Sequence, residues 1–259
     1  MAQTVLITGA TTGIGYELAK LFAKDKYDIV ITARSESKLK EVSEKLILEF
    51  GIKVKYISKD LSISGSAREL YEEVKNKKIY IEILVNNAGF GVHGSFAGSD
   101  LNVDIEMIQL NIASLVILTK LFLNDMIKTN SGKIMNVAST AAFQPGPMMA
   151  IYYATKSFVL SFSEAIDEEL SETKIRVTAF CPGPTETEFH KRAGIINKKL
   201  AGKKFSLMSA EGSARAGYEG LKKGKRIVIP GLLNNVIPLA IRVLPRGLVT
   251  KAVKFIHKE

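Results

Sequence analysis

One cysteine, Cys181, stands among the 259 residues, so no disulfide can form within the chain. A lone thiol suits a reducing cytosol. Its place between the apolar run Val177 to Phe180 and Pro182 reads as a buried structural thiol rather than a nucleophile. The three histidines, His93, His190 and His257, are scattered, and no cysteine pair accompanies them. No zinc-ligand spacing therefore exists, and no metal is expected. The slightly positive mean hydropathy does not indicate a membrane span. With a first strand opening by Thr4, no signal peptide is expected either, and a cytoplasmic location follows. Acidic residues are scarce in one region only. Residues 191–259 carry 3 acidic and 16 basic side chains, whereas residues 1–190 carry 23 acidic and 20 basic ones. The whole net charge of +10 thus arises at the C-terminal side. Such a field draws anionic partners, such as an acidic carrier, coenzyme phosphates or anionic lipid. Nucleic acid is discounted, because no recognition module or interleaved aromatic surface is present. A solvated basic face is the plain alternative.

What is present is a regular alternation. Apolar runs at Val5 to Ile7, Asp28 to Ala33, Val54 to Ser58, Ile81 to Val85, and near Ile134, Ile175 and Ile227 read as about seven strands. Between them lie amphipathic stretches: Ile14, Leu18, Leu21 and Phe22, then Ser35 to Phe50, Ala67 to Lys75 and Leu101 to Ile127. Alternation of this kind gives crossover connections and a Rossmann-like, doubly wound parallel α/β sheet flanked by helices. Its ligands bind beyond the carboxyl ends of the strands. No linker or repeat divides the chain, so a single catalytic domain over residues 1–230 is expected, with a helical tail over 231–259.

Several groups of residues fall at those strand ends. Thr8-Gly-Ala-Thr-Thr-Gly-Ile-Gly15 joins the first strand to the first helix. Its glycines permit left-handed turns and close approach of a phosphate, and the helix N-terminus offers free N–H groups. Asn86-Asn87-Ala88-Gly89 ends another strand, and Asn111 is a polar residue amid Ile108, Leu110, Ile112 and Leu115 that demands a partner. Ser139 follows a buried strand, thirteen residues before Tyr152, and Lys156 stands one helical turn after that tyrosine. A lysine ammonium there would lower the phenol's pKa from its usual value near ~10. By itself, a tyrosine and lysine four apart is only a helix face with a snorkelling lysine. The second strand ends in Thr32-Ala33-Arg34-Ser35, with Lys38 a turn further on. A carboxylate there would bond a ribose 2′-hydroxyl, whereas a cation accommodates a 2′-phosphate, so NADP(H) is preferred over NAD(H).

Taken together and in this order, with Pro182-Gly183 and Thr187 following, these motifs resemble the short-chain dehydrogenase/reductase superfamily over Thr8 to Thr187. The resemblance implies that Tyr152 is the acid/base, because Tyr153 has Ser157 and not a lysine four residues on. It implies that Ser139 holds the substrate oxygen and that Lys156 binds the nicotinamide ribose. Asn111 would hold a water that resupplies protons. Gly9, Thr11, Thr12, Gly13, Ile14 and Gly15 would cradle the cofactor's phosphates. Asp60 and Leu61 would meet the adenine, and Asn87, Ala88 and Gly89 the adenosine ribose. Thr187, oriented by Pro182 and Gly183, would take the carboxamide. The implied activity is hydride transfer between NADPH and a carbonyl or secondary alcohol. The alternatives are a silent nucleotide-sensing protein or an epimerase/dehydratase of the same fold; the intact catalytic set and the short C-terminal part argue against them.

Substrate pockets of this family lie after the Ser139 strand and in an insert at about 185–210. Here they carry Phe143, Met148, Met149 and Phe189, an apolar set that leans toward an apolar ketone or acyl chain. The expected assembly is a homo-oligomer, and the resemblance extends loosely to ketoacyl and hydroxysteroid reductases. In the tail, Pro238, Arg242 and Pro245 interrupt the apolar residues. Beyond Pro245, Leu248, Val249, Ala252, Val253 and Ile256 form a stripe, with Lys251, Lys254 and Lys258 off it. This helix is expected to pack over the substrate mouth or against a second subunit rather than lie in a membrane interface.

Overall fold

A computed structural model describes residues 3–189, 193–194 and 207–257. Most of the insert at 185–210, His190 and Lys258 lie outside the described residues.

Seven parallel strands form one sheet: β1 (Thr4–Thr8), β2 (Asp28–Ala33), β3 (Val54–Ser58), β4 (Ile83–Asn86), β5 (Gly132–Val137), β6 (Ile175–Phe180) and, after a two-residue pair, β9 (Ile227–Val228). Their order is β3-β2-β1-β4-β5-β6-β9. The pair is β7 (Thr185–Glu186) with β8 (Met208–Ser209). Chain order reverses direction between β1 and β4, and a crevice opens there at the carboxyl ends.

Side chains alternate across each strand, which explains the two layers of core. Val5 and Ile7 face Leu18 and Phe22 of α1 (Gly13–Lys24), Leu39 and Leu46 of α2 (Glu36–Phe50), and Tyr218 of a later helix. Leu6 points the other way, into a cluster with Leu70 and Val74 of α3 (Ser66–Asn76) and Leu118 and Phe122 of α5 (Leu115–Thr129). Sequential helices α6 (Ala150–Glu169), α7 (Ala210–Lys222), α8 (Leu232–Val243) and α9 (Arg246–His257) complete the described chain.

The long apolar stretch after Leu101 is one helical rod with a defect. α4 (Leu101–Ile108) runs into a wider π-helical turn over Gln109–Ser114 and then into α5. Leu101–Thr129 is the one described helix long and apolar enough to cross a membrane. Its buried side holds Asp104, Asn111, Ser114 and Asp125 as well as Leu118 and Phe122, and the latter pair pack on the sheet. A single π turn inside an α-helix is a frequent mark of a functional site, and Asn111 lies within it.

The tail differs from its sequence expectation in one respect. α8 continues through Pro238 instead of stopping there, at the cost of one backbone hydrogen bond. Pro245 does break the chain, since Leu244 is extended and α9 starts from the Pro245 carbonyl, which accepts from Leu248 N at 2.9 Å.

Candidate active site

β1 delivers Thr8 to the crevice, and this residue ties two motifs together. Its hydroxyl accepts from the backbone N–H groups of Asn87 and Ala88, both at 2.9 Å. The Asn87 amide donates back to the carbonyls of Thr8 (2.9 Å) and Gly9 (3.0 Å). The side chain of Asn87 therefore shapes the glycine turn. Gly9 and Gly13 have left-handed backbones, with φ of 67° and 58°. A Cβ on Gly9 would stand 2.9 Å from Ala88 Cα, one on Gly13 3.0 Å from the Thr187 methyl, and one on Gly15 would collide with Asn87 and Gly9. The turn is thus closed to side chains on its protein side.

Whether a dinucleotide fits can be judged from three features. The N-terminus of α1 has no side-chain cap and no acid in its first turn, which leaves its N–H groups and dipole for phosphate. By contrast α2 is capped by Ser35, whose hydroxyl accepts from Lys38 N. Beside both helix starts lies a cleft of about 270 Å³ lined by Thr11, Thr12, Tyr16, Lys38, Glu41, Val42 and Lys45. Arg34 leaves the end of β2 with its side chain 68% exposed, 3.8 Å from the Asp60 carboxylate. Asp60 also accepts from Ser62 N and Oγ, so its charge is shared between the turn and Arg34. Leu61 is buried, and its carbonyl accepts from Ser114 at 2.6 Å. The residues present fit a nicotinamide dinucleotide.

The reacting end is assembled from β5, β6 and α6. Past the end of β5, pairing continues through Ala138 N to Phe180 O (2.7 Å) and Thr140 N to Pro182 O (2.9 Å). Ser139 is fixed between these bonds; its hydroxyl accepts from Ala141 N at 3.1 Å and interacts with the Tyr152 hydroxyl. Tyr153 does not share this partner. Its ring packs on Gly146 and its hydroxyl pairs with Gln144.

Lys156 is buried, and its ammonium donates to Val137 O at 2.8 Å while lying 5.8 Å from the centre of the Tyr152 ring. A lysine that lowers the tyrosine pKa is what the sequence predicts; the structure differs. Burial pushes Tyr152 up to about 12, and the lowering contribution comes from the Ser139 hydrogen bond. Lys156 is itself pushed down to about 8 by burial. Both shifts have one cause, since a low-dielectric site disfavours either charged form, and the ammonium is engaged by a carbonyl rather than by the phenol. Cys181, nearby and buried, has its thiol pushed up to about 12, which matches a structural thiol.

Asn111, buried in the π turn, finds its partners in the strand-end loop and in α6. It donates to Phe90 O (2.9 Å) and Thr155 Oγ1 (3.1 Å) and accepts from Phe90 N (3.1 Å). Thr155 in turn donates to Tyr152 O at 2.7 Å. A Cβ on Gly89 would stand 2.9 Å from Asn111 Oδ1 and 3.4 Å from Lys156 Nζ. Gly89 is thus the spacer that brings Asn111 and Lys156 to the same place.

Of the apolar substrate residues, Phe189 lies over the Tyr152 ring, 5.3 Å between centres. Met148 has a left-handed backbone (φ 69°), and its carbonyl accepts from Gly94 N at 2.8 Å. Phe143 packs with Ala138, Ala142 and Val159, and Met149 is buried at the start of α6. Thr187 caps the turn under Phe189, accepting from Phe189 N at 3.3 Å. Gly183 touches Asn234 of α8, so the first turn of the tail flanks the site. The sequence does not mark Gly91 and Thr155 as site residues, and it names Thr8 only as the start of the glycine turn. Gly91 is the tightest of them, since a Cβ there would stand 2.8 Å from the Tyr152 ring and 3.1 Å from Phe189. The only signal for Thr155 was the need of Asn111 for a partner.

Known proteins resemble this chain in sequence and in fold. The sequence profile of the family described as short chain dehydrogenase matches residues 3–195. The NADP-dependent 3-hydroxy acid dehydrogenase of Schizosaccharomyces pombe is 33% identical over 190 residues, 72% of this chain and 73% of that one. The 3-oxoacyl-(acyl-carrier-protein) reductase of Aquifex aeolicus is 31% identical over 183 residues, 71% of this chain and 74% of the other. Among solved structures, a short-chain dehydrogenase from Sphingobium yanoikuyae in complex with NADPH superposes with a TM-score of 0.81 at 29% identity, covering 94% of this chain and 96% of that one. With its seven-stranded sheet and strand-end motifs, the chain belongs to the short-chain dehydrogenase family, oxidoreductases that use a nicotinamide cofactor.

Proposed function

We propose that this protein is an NADP-dependent oxidoreductase that interconverts a carbonyl and a secondary alcohol on an apolar, acyl-type substrate. The observation that carries the reading is the Ser139–Tyr152 hydroxyl pair, backed by Lys156 and Asn111, which meet beside Gly89. The bound cofactor supplies or accepts the hydride. In reduction, Tyr152 gives its proton to the developing alkoxide, and Ser139 donates a hydrogen bond to the same oxygen, an interaction strongest as charge develops. A phenol held at about 12 keeps its proton until such a base forms. Lys156, held at about 8, releases and regains a proton near neutrality, which suits it to return one to Tyr152. Asn111 fixes the backbone of Phe90 and the Thr155 hydroxyl behind this pair. It is the residue through which a water would connect Lys156 to solvent.

The preference for NADP(H) rests on Arg34 at the end of β2 and Lys38 in the first turn of α2, with no carboxylate taking the place of Arg34. The substrate class rests on Phe189 against the Tyr152 ring, on the apolar Met148 in the segment between Ser139 and α6, and on relatives whose names specify hydroxy acids and oxoacyl carriers. Residues 1–230 form the catalytic unit in this reading, with 231–259 as an appended tail. Exposed Leu101, Ile105 and Phe158 on α4 and α6 offer apolar faces for a homo-oligomer, and a cytoplasmic location accords with the single buried thiol.

A panel of ketones, ketoacyl thioesters and secondary alcohols, followed by NADPH absorbance with NADH in parallel, tests the proposal. Turnover of an apolar ketone or ketoacyl thioester with NADPH supports it. Preference for NADH, or turnover confined to sugars, overturns the corresponding part.

A further inference from the structure

The tail helices carry a feature that the oxidoreductase site does not use. In α9, Val249 and Val253 are buried, so the sector facing the protein is already filled. The neighbouring sector is apolar yet open to solvent: Leu248 is 59% exposed and Phe255 80%, with Ala252 also exposed between them. These three stand at i, i+4 and i+7, one line along the helix. Exposed Lys251 and Lys254 lie next to that line, on the side away from Val249 and Val253.

α8 repeats the pattern. Val236 (60% exposed), Ala240 and Val243 (82% exposed) again stand at i, i+4 and i+7, and Leu244 follows at 48%. Exposed apolar residues singly are normal, but aligned runs of them are not.

The charge around these lines selects the occupant. Between Leu232 and Lys258 the sequence has no Asp or Glu, whereas Arg246, Lys251 and Lys254 are exposed cations on α9. A second copy docking by two-fold symmetry would set these cations against themselves, and like charge juxtaposed across an interface is costly. An acidic protein would have to match both apolar lines with a groove as well as answer the charges. An anionic bilayer answers both, because apolar side chains insert below the headgroups while lysines reach the lipid phosphates. We infer that α8 and α9 form a peripheral docking surface for anionic lipid, in place of the lid or subunit contact that the sequence suggests.

The test is sedimentation of the full-length protein with large vesicles, either all phosphatidylcholine or phosphatidylcholine mixed with phosphatidylglycerol. Binding is expected to the mixed vesicles and not to the neutral ones, and it should weaken as salt is raised. Lys251→Gln with Lys254→Gln should weaken partition roughly 30-fold, at about 1 kcal/mol for each cation near such a surface. Leu248→Ser with Phe255→Ser should abolish binding while the thermal melt stays cooperative. Both pairs lie on the solvent side of α9, so folding should survive. No sedimentation of the wild type with anionic vesicles overturns the inference, as does binding indifferent to both double variants. Sedimentation velocity covers the rival occupant: a self-association lost in Leu248→Ser/Phe255→Ser would assign the face to a second copy instead.

Discussion

Around Ser139 and Tyr152 the polar groups are tied down; along α8 and α9 the apolar ones are left out. Asn111 makes three hydrogen bonds, the Thr8 hydroxyl accepts two, and Lys156 is held by Val137 O. The tail instead exposes Val236, Val243, Leu248 and Phe255. The two regions obey different constraints. An unpaired buried polar atom costs about 1–3 kcal/mol, so burial forces each such group into one arrangement. An exposed apolar line costs the monomer little and leaves its purpose to whatever it meets.

Breaking the tied-down region at its centre should have the largest effect. Tyr152→Phe removes the transferable proton, and loss of a general acid costs on the order of 10²–10⁴-fold in turnover. Cofactor affinity, measured by fluorescence titration, should hardly change. Tyr153→Phe should keep substantial activity, because that residue packs on Gly146 and bonds Gln144. A dead Tyr153→Phe enzyme beside an active Tyr152→Phe one would reverse the assignment.

Next in size is a steric intrusion that leaves the chemistry intact. Gly91→Ala would place a methyl 2.8 Å from the Tyr152 ring, so the ring must shift. A displacement approaching 1 Å costs roughly 10²-fold, and turnover should fall toward that limit while NADPH still binds. The same change in the tail, Gly247→Ala, meets nothing within 4 Å. It should be neutral in activity and raise stability by about 0.5–1 kcal/mol through helix propensity. Equal activities for the two variants would remove Gly91 from the site wall.

How much of this was legible beforehand follows from the same contrast. The seven-strand parallel sheet was readable because strands buried on both faces give continuous apolar runs, and crossover helices must lie between them. The glycine turn, the two asparagines, Ser139, Tyr152 and Lys156 were readable because each sits at a strand end or on an adjacent helix. Their partners were not. Nothing local in the sequence says that Thr8 binds Asn87 and Ala88, 79 and 80 residues away, or that Thr155 answers Asn111. The pKa of Tyr152 is not legible, because sequence spacing reports a neighbouring charge but not burial, and burial dominates here. In the tail, helical spacing yields a stripe from Leu248 to Ile256 without telling which edge of it meets the core. The structure buries Val249 and Val253 and leaves Leu248, Ala252 and Ile256 outside.

A smaller effect is expected at the cofactor's far end, where the site is exposed. Arg34→Asp replaces a cation by a carboxylate next to Asp60. A charge-assisted hydrogen bond is worth about 1.5–3 kcal/mol, so NADPH should weaken about 10- to 100-fold more than NADH. Comparable losses for both cofactors would show that Arg34 does not read the phosphate.

The smallest effect is on stability, and it turns on the buried lysine. Lys156 titrates at about 8 in the folded chain, against about 10.4 for an unperturbed lysine. Between those values the unfolded chain binds more protons than the folded one, so stability rises with pH across that window. The gain is absent below about 8, where the lysine is protonated in both states, and complete near ~10.4. Tyr152 works in the opposite sense. Held at about 12, it keeps its proton when folded after the unfolded phenol has lost it, so its contribution declines only above ~10. Urea unfolding of the wild type and of Lys156→Met at about pH 7.5 and about pH 9.5 separates the two, because the second value lies below the tyrosine window. The wild type should gain on the variant between those pH values, since methionine keeps much of the side chain's bulk and carries no titrating proton. A stability difference that stays constant with pH would mean that Lys156 is charged equally in both states, and the proton-return role given to it would fall with that result.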